Sequence, residues 1–187
     1  SNAQLSWVNL PATATAHGDQ GVRLWDLTSG ILRRELRDLP ANQLAAATVG
    51  GQPWVVAGGD SGLKAMNLWT GAVQSLADED CTGVAAAEVA GTPGTLAVIA
   101  GVGDKVLAWT DAANLTSAAL QLSDQTASAV AVLVHDKATY FAAAGTNGIR
   151  LWQGQQLITI DGLSQAGNIT SLALAPSFAG SKLALAA

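Results

Sequence analysis

Apolar residues along the chain come in short runs, each cut off by a small cluster of Gly, Asp, Asn or Ser. Four stretches show the pattern most clearly: "ATATAHGDQGVRLWDLTSG", "PWVVAGGDSGLKAMNLWTG", "LAVIAGVGDKVLAWTDAAN" and "TYFAAAGTNGIRLWQGQQ". Each reads as an apolar strand, a polar turn and a second strand. A further strand precedes each pair ("QLAAATV" at 43–49, "GVAAAEV" at 83–89, "SAVAVLV" at 128–134, "ITSLALAP" at 169–176). Another follows it ("ILRREL" at 31–36, "AVQSL" at 72–76, "SAALQL" at 117–122, "QLITI" at 156–160). The unit is therefore four short antiparallel strands, repeated.

The positions Trp25, Met66, Trp109 and Trp152 mark the same place in successive units and are 41, 43 and 43 residues apart. That interval is the blade length of a β-propeller. The predicted fold class is all-β, with blades over 4–36, 43–76, 83–122 and 128–160 and a partial one over 169–187. The alanine-rich runs invite a rival reading as helices of an α/β fold, since alanine is a strong helix former. Apart from 112–122, however, each is closed within about eight residues, short of the 10 to 12 that a helix usually needs. Small side chains also suit the first strand of a blade, where neighbouring blades converge on the ring axis.

Composition narrows the function classes. The 187 residues are 49% hydrophobic and 12% charged, a balance for a buried globular core. No apolar run reaches the ~20 residues of a membrane-spanning helix. A net charge of −5 argues against nucleic acid as a partner. Cys81 is the single cysteine, which rules out an internal disulfide or a cysteine-based metal cluster and mildly favours a reducing, cytoplasmic setting. Ser1-Asn2-Ala3 reads as the scar of an expression tag, leaving localisation open.

The segment "GDQGVRLWDLTSG" resembles the strand–turn–strand signature of WD-repeat propellers, with Trp25-Asp26 as the namesake dipeptide and Asp19 at the tight turn. Later units look like degraded copies: Met66-Asn67, Trp109-Thr110 and Trp152-Gln153 stand for the dipeptide. Asp60 keeps the turn aspartate, Asp104 sits one position nearer its Trp, and Thr146-Asn147 replaces it in the fourth unit. The family's Gly-His pair is absent from "RDLPANQ", "ADEDCTG" and "SDQTASA". The resemblance implies a rigid, non-catalytic scaffold that binds proteins or peptides and needs no cofactor; it also implies that the family's aspartate–histidine–serine–tryptophan network is incomplete here. A propeller that binds a small ligand or a glycan is the alternative, and an enzyme with a site built across loops is a third.

Candidate chemistry is sparse. Gly59-Asp60-Ser61-Gly62 spells the letters around a trypsin-like nucleophile, but Asp60-Ser61-Gly62 occupies the place of Asp19-Gln20-Gly21, and only His17 and His135 could serve as a base. "GVGDK" at 101–105 lacks phosphate-loop spacing, and no histidine–carboxylate set has metal-ligand spacing. One Trp or Met per blade fits inter-blade packing better than ligand stacking. Trp7, Trp54 and Trp69 lie outside that register, and Trp69, beside an exposed turn, could face a partner.

Charge gives the last expectation. Asp19, Asp38, Asp60, Asp78, Glu79, Asp80, Asp104, Asp124 and Asp161 are placed on one face, with Arg37 and Lys105 as its cations. The turn aspartates 19, 60 and 104 are expected to cap their own turns, while Asp78, Glu79 and Asp80 form a candidate binding site for a cationic segment. Arg33, Arg34 and Arg37 read as guards against edge-to-edge pairing. At ~43 residues per blade the chain supplies about four and a third blades, so self-association or strand pairing through open blade edges is expected, with closure of a small ring by the segment "QLSWV" as the alternative.

Overall fold

The computed structural model describes residues 12–89, 91–111, 118–146, 148–159, 169–176 and 183–186. Among them there is no helix, and all regular structure is antiparallel β.

The second blade runs β4 (Gln43–Val49), β5 (Gln52–Gly59), β6 (Gly62–Asn67) and β7 (Val73–Ala77), paired in that order. The third repeats it with β8 (Cys81–Glu88), β9 (Leu96–Val102), β10 (Lys105–Trp109) and β11 (Leu120–Ser123). The fourth is β12 (Ala129–His135), β13 (Ala138–Gly145), β14 (Gly148–Gln153) and β15 (Gln156–Ile158). The first blade shows three strands, β1 (Ala12–Ala16), β2 (Val22–Asp26) and β3 (Leu32–Leu36), because its expected leading strand lies outside the described residues. A last pair, β16 (Ala173–Pro176) and β17 (Leu183–Ala186), starts later than the expected 169.

Turn chemistry fixes the hairpins. Asp60 and Ser61 alone connect β5 to β6, with Gly59 paired to Gly62. Gly62 takes φ +98°, and a Cβ there would lie 2.3 Å from the carbonyl oxygen of Ala77. Gly21 repeats the arrangement at φ +86°, with the Leu36 carbonyl 2.2 Å from a Cβ. Glycine is thus required on two counts, the positive φ and the close approach of the fourth strand.

The blades stack through their faces. Along β9 every residue is buried, and the pleat divides them: Ala97 and Ile99 join Phe141, Ala143 and Trp152 of the fourth blade, whereas Val98, Ala100 and Val102 join Val56, Leu63 and Ala65 of the second. A strand whose two faces are both covered reads as an unbroken apolar run, which is why "LAVIAGV" shows no alternation. β5 behaves alike, with Val55 and Ala57 packed with Val22, Leu24 and Leu36 of the first blade and Val56 turned to the third. The leading strands β4, β8, β12 and β16 lie side by side in succession, and their alanines (Ala45, Ala47, Ala86, Ala131) pack where the blades converge.

Candidate functional site

The links between blades and the turns between second and third strands meet at one end of the strands. Gly18 and Ala41 exchange backbone hydrogen bonds, the N–H of Gly103 donates to the Asp80 carbonyl at 2.8 Å, and Asn42 Nδ2 donates to Asp60 Oδ1 at 3.3 Å. Asp19, Asp38, Asp60, Asp78, Glu79, Asp80, Asp104 and Asp124 are all exposed there. Asp161 lies outside the described residues.

Asp78, Glu79 and Asp80 fill the link from β7 to β8. Asp78 accepts from Ser75 Oγ at 3.1 Å, and Glu79 stands 3.9 Å from Lys105 Nζ. Asp60 does not cap its own turn: its carboxylate accepts a hydrogen bond from Asn42 Nδ2 in the link before β4 instead. The side chains of Asp19 and Asp104 have no hydrogen-bond partner among the described residues.

The cations differ from expectation too. Lys64 Nζ donates to the Asp38 carbonyl at 3.4 Å, and Arg150 Nη1 to Ser123 Oγ at 3.0 Å. Each runs from the third strand of one blade to the end of the blade before it, so Arg37 and Lys105 are joined at this face by Lys64 and Arg150. The three arginines read as edge guards also separate. Arg33 is bound to Asp26, Arg37 pairs with Glu35 at 3.0 Å, and Arg34 is half-buried. A sequence cannot show that a carboxylate seven residues back will fold beneath Arg33.

Asp26 is the most committed acid of the first blade. It is 3% exposed and accepts the backbone N–H groups of Thr28 at 2.8 Å and Ser29 at 3.2 Å beside the Arg33 guanidinium. Arg33 foremost, then the Thr28 N–H, hold its pKa down to about 2. Asn67 does the same work one blade on, accepting from Trp69 N at 2.8 Å and Thr70 N at 3.0 Å. The signal for this cap was present in the parallel between "DLTSG" and "NLWTG".

Among the anchors, Trp25 is half-buried and its Nε1 donates to Thr15 Oγ1 at 2.9 Å, and Thr15 Oγ1 lies 2.9 Å from His17 Nε2. This tryptophan–threonine–histidine chain sits within one hairpin, and Asp19 is not part of it. Met66, Trp109 and Trp152 are buried between blades. His17 is thus engaged with Thr15, and Ser61 is an exposed turn residue. Cys81 is buried, and burial pushes its thiol up to about 11. Among the described residues no three His, Cys, Asp or Glu side chains cluster closely enough to hold a metal ion, and no helix is long and apolar enough to cross a membrane.

Four-stranded antiparallel blades stacked face to face about their leading strands define a β-propeller. The chain is similar in structure to the Cps50 (Swd1) β-propeller domain of Myceliophteria thermophila, with a TM-score of 0.64 and 15% identity. The match covers 86% of this chain and 55% of that one, so the chain spans about half the length of that propeller domain. No protein-family model matches the sequence. No curated protein matches it.

Proposed function

We propose that the chain is a non-catalytic protein-interaction propeller of WD-repeat type, and that the rim at Asp78, Glu79 and Asp80 recruits a cationic peptide or protein segment. The observation that carries this reading is the rim itself. Three adjacent carboxylates stand exposed between β7 and β8, and among the described residues only Glu79 has a cation within 4 Å, Lys105 at 3.9 Å. No turn requires three acids in a row, and a fixed negative edge steers an oppositely charged partner chiefly through the association rate. The tryptophan–threonine–histidine chain of the first blade and the capped Asp26 support the WD-repeat likeness.

The test is triple replacement, Asp78→Asn, Glu79→Gln and Asp80→Asn, with binding of a lysine-rich peptide followed by stopped-flow at two salt concentrations. The association rate is expected to fall and its salt dependence to flatten while the melting temperature holds. An unchanged rate and salt slope would leave the acids as a solubility feature and overturn the proposed recruitment.

A further inference from the structure

At the end of the strands away from the acidic rim, a cleft of about 430 Å³ opens between the first and second blades. The register explains its walls. Ala14, Leu24 and Arg34 are cross-strand partners in one row of the first sheet, and Ala46 and Val55 are partners in the second. Leu24 and Val55 belong to one buried core, so they close the floor, while Pro53, Leu68 and Trp69 stand at the mouth. The cleft is mostly apolar, and its volume falls within the ~300–1,000 Å³ usual for ligand sites.

Two features of this cleft are not explained by folding. Trp69 is 40% exposed, yet its backbone N–H is fixed at 2.8 Å from Asn67 Oδ1. The sister turn of the first blade makes the equivalent bond, from Thr28 N to Asp26 Oδ1 at 2.8 Å, with a threonine at the matching place. The turn therefore has no need of tryptophan. The second feature is Arg34. Arg23, Arg33 and Arg37 each hold a carboxylate, whereas half-buried Arg34 has no such partner among the described residues.

We propose that this cleft docks a linear peptide segment of a partner protein in which a large apolar side chain stands next to an aspartate or glutamate. The apolar side chain rests on the floor formed by Leu24 and Val55, beside Trp69, and the neighbouring carboxylate pairs with the guanidinium of Arg34. An exposed aromatic over an apolar floor supplies contact area, and a lone arginine at its wall selects an acidic neighbour. The surface is separate from the acidic rim and opposite in charge, so either can fail without the other.

The probe is the amidated hexapeptide Gly-Ser-Glu-Trp-Ser-Gly, titrated into the full chain labelled with ¹⁵N. Saturable shifts of the Trp69 indole and of the Leu24 and Val55 amides are expected, with affinity about tenfold weaker for the version bearing Lys in place of Glu, as loss of a charged hydrogen bond implies. Arg34→Gln should remove that difference between the two peptides, and Trp69→Thr, which copies the sister turn, should weaken both without lowering the melting temperature. Equal binding of the Glu and Lys peptides to the unmodified chain, or shifts confined to the acidic rim, would overturn the proposal. Binding of indole-3-acetate but of neither peptide would also overturn it in favour of a small-ligand site. Binding of the Glu peptide only after Trp7→Ala would overturn it in favour of the chain's own first residues as the occupant.

Discussion

The hydroxyl of Thr82 donates to the carbonyl of Ala127 at 2.6 Å, joining the start of the third blade to the start of the fourth. Ser128 repeats the bond to the carbonyl of Ile169. Thr82→Val keeps the shape and removes the donor, leaving a part-buried carbonyl short of a partner. A loss of about 1 kcal/mol is expected from urea unfolding, the usual size for one such bond.

Cys81 fills the space that a side chain at Gly58 would take, since a Cβ there would lie 2.4 Å from Sγ. Gly58→Ala is expected to cost about 1–3 kcal/mol through overpacking. With its thiol buried and pushed up to about 11, Cys81 should resist an aromatic disulfide reagent at neutral pH until the chain unfolds. Labelling rates in the native protein and in Gly58→Ala measure this directly, and the variant should label faster.

Asp26 has its pKa held at about 2 in the fold against an ordinary 3.8, so the contribution of its charge is fully present above the ordinary value. It is lost as pH falls from there towards 2. Glu88 follows the same sign: the N–H groups of Gly94 and then Gly50 lower its pKa, and acid should loosen the tie it makes between the second and third blades. Asp26→Asn, which copies Asn67, is expected to keep the turn and flatten the acid limb of a melting-temperature profile. Asp26→Ala should lower the melting temperature at neutral pH as well, because the N–H groups of Thr28 and Ser29 lose their acceptor.

Asp136 and Lys137 connect β12 to β13 at φ 47° and 64°, the region that favours glycine, where the sister turn of the second blade carries Gly50 and Gly51. Lys137→Gly is expected to stabilise by about 1 kcal/mol, the strain of a non-glycine residue in that region. Chemical denaturation against the unmodified chain checks it.

The blade repeat was legible because each of its signals is local: a Gly at each hairpin, an apolar run of strand length, and one large residue per unit at Trp25, Met66, Trp109 and Trp152. What escaped the sequence lies between blades. Lys64 reaches Asp38 across 26 residues and Arg150 reaches Ser123 across 27, distances that periodicity does not encode. Arg33 reads from the sequence as a free edge charge because only the fold brings the buried Asp26 carboxylate, seven residues back, beside its guanidinium. The acidic rim was legible as a cluster of charges on one face, but its local cations were not. The cleft beneath Trp69 was invisible, since its walls belong to two sheets that meet only once the blades stack.

The division of β9 between two neighbouring blades has a consequence for how this chain tolerates change. Val98 and Ile99 are joined by a peptide bond, yet one shares its packing with Val56 and the other with Phe141. Among the described residues the third blade packs against its two flanking blades, so the energetic neighbourhood of a β9 residue is a facing sheet rather than the adjoining residues of its own strand. Adjacent positions on β9 are thus free to drift independently, while Ile99 and Phe141, 42 residues apart in the sequence, must fit one another whenever either alters.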